Sequence, residues 1–336
     1  MKRLITICLL LISICSLSVA AEADYFQLTE AGSNARMIRI GNIEGFSSLS
    51  SSIFENPAGL YRVNSFSASL FNTTFMSEVN YQNISFGYRL PVGMLAFGYM
   101  KLGVDDIKST YATGSGVDDK FGSNGTFNYR NSLAKVAYQV SIFENLHVGL
   151  AGSYYVTELD KVSGNGFNFD IGAILGSETF QGSLVFRNVV NGMKVKYTDD
   201  TDFSAHTYLT EEEKEAFDST GKTEKLPFMM VIGLKKKFNT LTFYGQHKVI
   251  ENHQDAAKSY GVEYTPRFLS IFKISGAIKK YPVVRSDEGE TKRELDTTKV
   301  MGLGIDLFGV SFDYAHETSD HIEFKHKHYF SVGYSF

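Results

Sequence analysis

The chain has only two cysteines among its 336 residues, Cys8 and Cys15, and both lie in the first twenty positions. If that stretch is a removable leader, the mature protein has no disulfide and no thiol chemistry. After it, no run reaches the roughly 18 consecutive apolar residues of a membrane-crossing helix, so helical spans are excluded. There is no basic block either. The formal charge of −4 becomes −6 once Lys2 and Arg3 leave with the leader, and nucleic acid is not an expected partner. No Gly-x-Ser-x-Gly, His-Glu-x-x-His or phosphate-loop pattern occurs, and Gly114-Ser115-Gly116 and Gly164-Asn165-Gly166 read as loop glycines. The chain is therefore expected to be no enzyme and to hold no cofactor. Prolines number five, few enough to leave long strands unbroken.

What the chain does have is aromatic residues, 19 Tyr and 27 Phe, beside 30 Gly. That composition suits long aromatic strands better than a helical enzyme. Lys2 and Arg3 precede an apolar run up to about Leu17, and small residues at Ser18-Val19-Ala20 and Ala21-Glu22-Ala23 follow at signal-peptidase spacing. Residues 1–20 are thus read as a signal peptide, with cleavage as late as residue 23 also possible on spacing. Residues 24–60 carry no strand pattern, being rich in Ser, Gly, Asn and Ala.

From residue 64 to 336 apolar residues recur at every second position, as in Ile84, Phe86, Tyr88 and Leu90, and about fourteen strands can be drawn. Only alternate residues of such strands need to be apolar to face lipid, which keeps the mean hydropathy low. The connections alternate. Tight turns at 90–93, 143–146, 176–179, 238–240, 265–267 and 307–309 are separated by longer polar stretches at 102–129, 158–166, 188–226, 250–257, 280–297 and 317–324. A soluble sandwich has no reason to keep its long loops at one end, whereas an outer-membrane barrel does. The last strand ends on Phe330, Val332, Tyr334 and Phe336, alternating with Ser331, Gly333 and Ser335. Those four residues are the expected assembly signal for the barrel-assembly machinery. The fold expected is all-β: a transmembrane antiparallel β-barrel of about fourteen strands in the cell outer membrane, with both mature termini periplasmic.

Strand parity assigns faces. Met94, Ala96, Gly98, Met100, Met229, Val231 and Val300 are candidate lumen-lining residues, an apolar set for a barrel interior. Arg89, Lys135, Asp170, Arg187, Glu263, Lys273, Asp306 and Asp313 also point inward, and buried charges need partners. Fourteen strands enclose more space than side chains fill, so residues 24–60 are the expected plug. Tyr81, Tyr111, Tyr154, Tyr155, Tyr314 and Tyr329 lie toward strand ends and read as interfacial girdles. His316, His321, His326 and His328 cluster near the last outer loop without the ligands of a tetrahedral metal site, and no metal is expected. Thr210 and Glu213 have capping-box spacing, so a short exposed helix is expected there.

The plug-like N-terminus with Asn56, Pro57, Ala58, Gly59 and Leu60, the fourteen strands, and the ending from Phe312-Asp313-Tyr314-Ala315 to Phe336 together resemble the FadL-like superfamily, in particular its PorV/PorQ branch. The resemblance implies an N-terminal hatch over residues 24–60 that plugs a barrel at 64–336. It implies passive uptake of hydrophobic small molecules, fatty-acid-like or aromatic, through a wall that opens sideways at a kinked third strand. Gly93, Gly98 and Gly103 would allow that kink. The PorV/PorQ branch instead implies protein secretion and cell-surface assembly by the type IX system. Expected partners are outer-membrane lipid, the assembly machinery, and either a hydrophobic ligand or secretion-system proteins.

Overall fold

The computed structural model describes residues 31–75, 78–113, 120–160, 162–190, 193–197, 223–224, 226–251, 255–287, 290–319 and 326–336. The residues read as a leader, the short helix expected around residue 213, Tyr111's side chain and His321 lie outside the described residues.

Among the described residues sixteen strands follow in chain order: β1 (Phe66–Phe75), β2 (Val79–Arg89), β3 (Met94–Thr113), β4 (Lys120–Phe143), β5 (Leu146–Leu159), β6 (Val162–Ser177), β7 (Phe180–Arg187), β8 (Met193–Tyr197), β9 (Thr223–Glu224), β10 (Met229–Phe238), β11 (Leu241–Ile250), β12 (Ala257–Tyr264), β13 (Phe272–Asp287), β14 (Glu290–Leu307), β15 (Val310–Ser319) and β16 (His326–Ser335). Each pairs antiparallel with its neighbour, β7 with β10, and β1 with β16 closes the ring. Fourteen strands form the closed barrel. Short β8 and β9 extend it, with β8 beside the first residues of β6.

Period-two patterning sets the wall. In β16 Tyr329, Ser331 and Gly333 are buried while Phe330, Val332 and Tyr334 are exposed. Around the ring the exposed positions carry large apolar groups such as Leu70, Phe86, Phe97, Leu150, Leu303 and Phe312, the inverse of a soluble protein and the belt expected against lipid. The seam is stapled by the last residue: the Phe336 carbonyl accepts from the amides of Ser65 (2.7 Å) and Phe66 (3.1 Å). At the β14–β15 turn, Phe308 (φ 50°) and Gly309 (φ 81°) take the two left-handed positions of a tight hairpin that follows the sheet's twist.

The long connections differ from the sequence reading. Residues 102–129 and 280–297 are chiefly hairpin, not loop, because β3 and β4 stay paired out to Thr113 and Lys120, and β13 and β14 to Asp287 and Glu290. Likewise 158–166 is chiefly strand, because β5 and β6 stay paired out to Leu159 and Val162. Above the apolar belt a strand has no apolar face to show, so ladder hydrogen bonds sustain it without alternation.

Residues 31–63 run inside the barrel and are nearly all buried. Helix α1 (Ala35–Arg39) is capped by Asn34, whose side chain accepts from the Met37 amide, and packs on β13–β16. Two 3-10 turns follow, Ser50–Phe54 against β1–β4 and Pro57–Arg62 against β4–β6. The segment thus crosses the interior from one wall to the other. It starts in the half nearer the long hairpins, where Tyr81 donates to the Gly32 carbonyl (2.9 Å), and leaves at the short-turn end into β1.

Candidate functional site

Hydrophilic inner positions of the wall serve as the seat of this segment. The Ala35 amide donates to Ser331 (3.1 Å), the Ser50 amide to Ser67 (3.0 Å), and the Ser50 and Ser85 hydroxyls meet at 2.9 Å. Asn56 accepts from the Ala58 amide (2.9 Å), capping the turn that Pro57 begins, and donates to Ser183 (2.8 Å). The Asn56-to-Leu60 motif is thereby pressed to the wall, where glycines make room. A Cβ on Gly172 would stand 1.9 Å from Asn56 Oδ1, and one on Gly149 2.5 Å from the Ala58 nitrogen.

Two ionic clusters tie segment to wall. Arg39 donates to Asp313 (2.9 Å) and Glu263 (2.5 Å), and Arg36 to Asp313 (3.2 Å) and Asp306, which Lys273 also reaches. Glu44 accepts from Arg187 (2.6 Å) and Lys248 (2.9 Å), and Arg187 also reaches the carbonyl oxygens of Phe54 and Glu55. Two other inward pairs, Lys135 with Asp170 and Lys279 with Glu317, join wall to wall. Arg89 departs from its expected place: it is exposed at the short-turn end and donates to the carbonyls of Tyr61, Val63 and Asn64.

Glu55 sits in the middle of the segment, accepting from Ser33 (2.7 Å), Asn34 (3.3 Å) and the Gly45 amide (3.2 Å). Burial pushes its carboxyl up from 4.5 to about 7, with nearby Glu44 adding to the rise and those donors opposing it. Between those values the folded state holds more protons than the unfolded one. Its contribution to stability is therefore full below 4.5 and is lost as pH rises through about 7. Protease access to residues 31–63 is expected to increase over that pH range in the wild type and to stay flat in Glu55→Gln; a parallel rise in both would assign the effect to another group.

The candidate lumen residues do not form one channel wall. Met94, Ala96 and Met100 are fully buried in one apolar cluster with Ile53 and Phe54, and Gly98 accommodates the Phe54 ring, since a Cβ there would lie 2.3 Å from Cζ. Val300 belongs to the same cluster on the α1 side, with Ala35, Ile38, Ala277 and Ala315. Met229 and Val231 are buried apart from it on β10, Met229 opposite Arg187. Phe330, Val332, Tyr334 and Phe336 all lie exposed on the outer face.

Three girdle assignments are overturned. Tyr81, Tyr155 and Tyr329 are buried inside the barrel, because they share parity with Asn83, Ser153 and Ser331. With Phe71, Phe75, Leu102, Leu133 and Tyr129 they build an inward aromatic cluster above Ala31 on the long-hairpin side, Phe71 and Tyr81 meeting edge to face at 5.6 Å. The third strand is also unlike the expectation. β3 is paired continuously with β2 over 94–103 and with β4 over 94–104, its first bulge falling between Val104 and Ile107. Gly98 and Gly103 relieve close approaches rather than kinks. The ladder is instead interrupted beside β6, between Ile171↔Phe186 and Gly166↔Met193, where the Asn168 and Asp170 side chains accept from the amides of Val190 and Asn188.

His316, His326 and His328 stack on the outer face, with Tyr314 hydrogen-bonded to His328 (2.8 Å). Among the described residues no group of His, Cys, Asp and Glu is arranged to hold a metal ion.

No family model matches the chain, and no curated protein is similar to it. Among solved structures it is similar to the Pseudomonas putida toluene transporter TodX, with a TM-score of 0.53 at 11% identity, covering 95% of this chain and 99% of that one. The Ralstonia pickettii toluene transporter TbuX gives 0.50 at 11% identity, covering 90% and 98%. At such identity the likeness is one of fold. The chain has the β-barrel architecture found in these two toluene transporters.

Proposed function

We propose that the protein is an outer-membrane channel through which hydrophobic small molecules diffuse inward, with its N-terminal segment as a movable hatch. The observation that carries the reading is the polarity of the interior. An inward aromatic cluster, from Phe71 to Tyr329, stands at the long-hairpin side and leads to Met94, Ala96 and Met100 beneath Phe54. The obstruction below it is a separate stretch of chain, held by hydrogen bonds, ion pairs and the apolar packing of Ile38, Ile53 and Phe54 rather than by the sheet ladder, and so able to detach as a unit. In this reading the short turns and Phe336 face the periplasm, as in barrels of this membrane. The names of the two fold neighbours support an apolar substrate. A molecule such as toluene fits the aromatic cluster, whose polar groups are already engaged: Tyr81 donates to the Gly32 carbonyl and Tyr329 to Glu317, itself paired with Lys279.

The test is uptake of radiolabelled toluene by cells with and without the protein. Faster entry with the protein is expected. Equal entry would remove the transport reading, and equal entry together with lost export of surface proteins would move it to the PorV/PorQ-like secretion role.

A further inference from the structure

At the short-turn end, between the inner segment and the wall of β10–β13, lies a cavity of about 290 Å³. Its lining is mixed. Met37, Ile40, Ile43 and Phe46 are apolar, and the cations are Arg62 from the segment, 5.8 Å from the Phe46 ring centre, with half-buried Lys235 and exposed Lys237 from β10. The cavity's other cations are already matched: Arg36, Arg39 and Lys273 pair with Asp306, Asp313 and Glu263. Among the described residues, Arg62, Lys235 and Lys237 have no carboxylate within ion-pair distance, although Glu178 and Glu55 also border the space.

Arg62 is held rigidly. It donates to the Gly45 carbonyl (2.7 Å) and to Gln181 (2.7 Å), and its guanidinium stacks 4.6 Å from the Tyr61 ring centre. Those two bonds leave donors of its five N–H groups uncommitted. Burial lowers the pKa of this guanidinium, as expected for a cation short of a counter-charge.

We propose that this cavity is a binding site for a small organic carboxylate, its charge between Arg62 and the β10 lysines and its apolar part against Ile40, Ile43 and Phe46. Its volume is close to that of the smallest ligand pockets, and although its lining is more polar than most, it sets four apolar side chains beside the three cations. An occupant would bridge the inner segment and the barrel wall, adding contacts that exist only while the segment is docked. Binding and docking are then linked, and the ligand stabilises the closed barrel. The site does not depend on what crosses the barrel.

The experiment is thermal unfolding of the full purified chain in neutral detergent at constant ionic strength, titrated with benzoate, with inorganic phosphate, and with benzyl alcohol as an uncharged analogue. Benzoate is expected to raise the melting temperature saturably. Lys235→Met and Lys237→Met are each expected to weaken its apparent affinity about tenfold, the loss of one charge-assisted contact. Lys236→Met serves as the control, because Lys236 lies on the other face over the Phe180 and Phe238 rings and should leave binding unchanged. A benzoate effect that is absent, unsaturable or retained in both β10 variants overturns the site. Phosphate or benzyl alcohol binding as tightly as benzoate overturns the carboxylate assignment.

Discussion

Gly149→Leu is expected to expel the inner segment while the barrel stays folded. A Cβ at position 149 would come within 2.5 Å of the Ala58 nitrogen and the Pro57 carbonyl carbon, which are backbone atoms and cannot turn aside. The Pro57–Arg62 turn must therefore leave its seat, and Asn56 loses its bond to Ser183 with it. The strand itself tolerates the change. β5 keeps its pairing with β4 and β6, its neighbour Leu150 still faces outward, and leucine suits a strand better than glycine does. In planar bilayers the variant is expected to conduct on the order of tenfold more than the wild type, since a fourteen-strand wall without its filling encloses open space. The segment should become cleavable by protease, and the barrel should keep its heat-dependent shift on gels. A variant that stays closed and protected would show that something other than residues 31–63 fills the lumen.

Arg39→Met is the second large effect. Arg39 is buried and serves two carboxylates on different strands, Asp313 of β15 and Glu263 of β12. The losses are unequal. Asp313 retains Arg36 at 3.2 Å, whereas Glu263 loses its ion-pair partner and keeps only a contact from Tyr244 at 3.5 Å. Removing one member of a buried pair typically costs about 3–5 kcal/mol, mostly the burial of the charge left behind. The expected loss is at the lower end of that range, read as reduced stability of the docked state in urea. Adding Glu263→Gln should recover much of it, because the orphaned charge is then gone, and the double-mutant cycle measures the coupling. A loss that Glu263→Gln fails to relieve would place the cost in packing around the Arg39 stem, which lies against Gly302.

The outer surface was the easiest part to read from sequence. In β2, Ile84, Phe86 and Tyr88 alternate with smaller residues because lipid demands apolar groups on one face only, and the tight turns carry positive-φ residues such as Asn239 and Gly309. The inner face is less legible. Ser331 and Gly333 look like a polar face toward water, yet Ser331 receives the Ala35 amide and Gly333 makes room for Leu49. Small size alone does not say whether water or chain fills the space. Tyr81 and Tyr155 lie near strand ends, and position along the strand suggested an interface; parity decides otherwise, and Tyr154 beside Tyr155 must point the opposite way. The cavity at the short-turn end was not visible at all, since Arg62 and Lys235 are far apart in sequence.

On the proposed function, the inner segment must move for a hydrophobic molecule to pass. Ser50 on the segment and Ser85 on β2 point at each other, their hydroxyls 2.9 Å apart, so Ser50→Cys with Ser85→Cys is the pair chosen to lock the segment by oxidation. The native cysteines are Cys8 and Cys15, in the region read as the leader. Toluene uptake should fall to the level of cells lacking the protein when the double variant is oxidised, and return on reduction, with each single variant behaving as wild type. Equal uptake by the oxidised and reduced double variant would contradict the account.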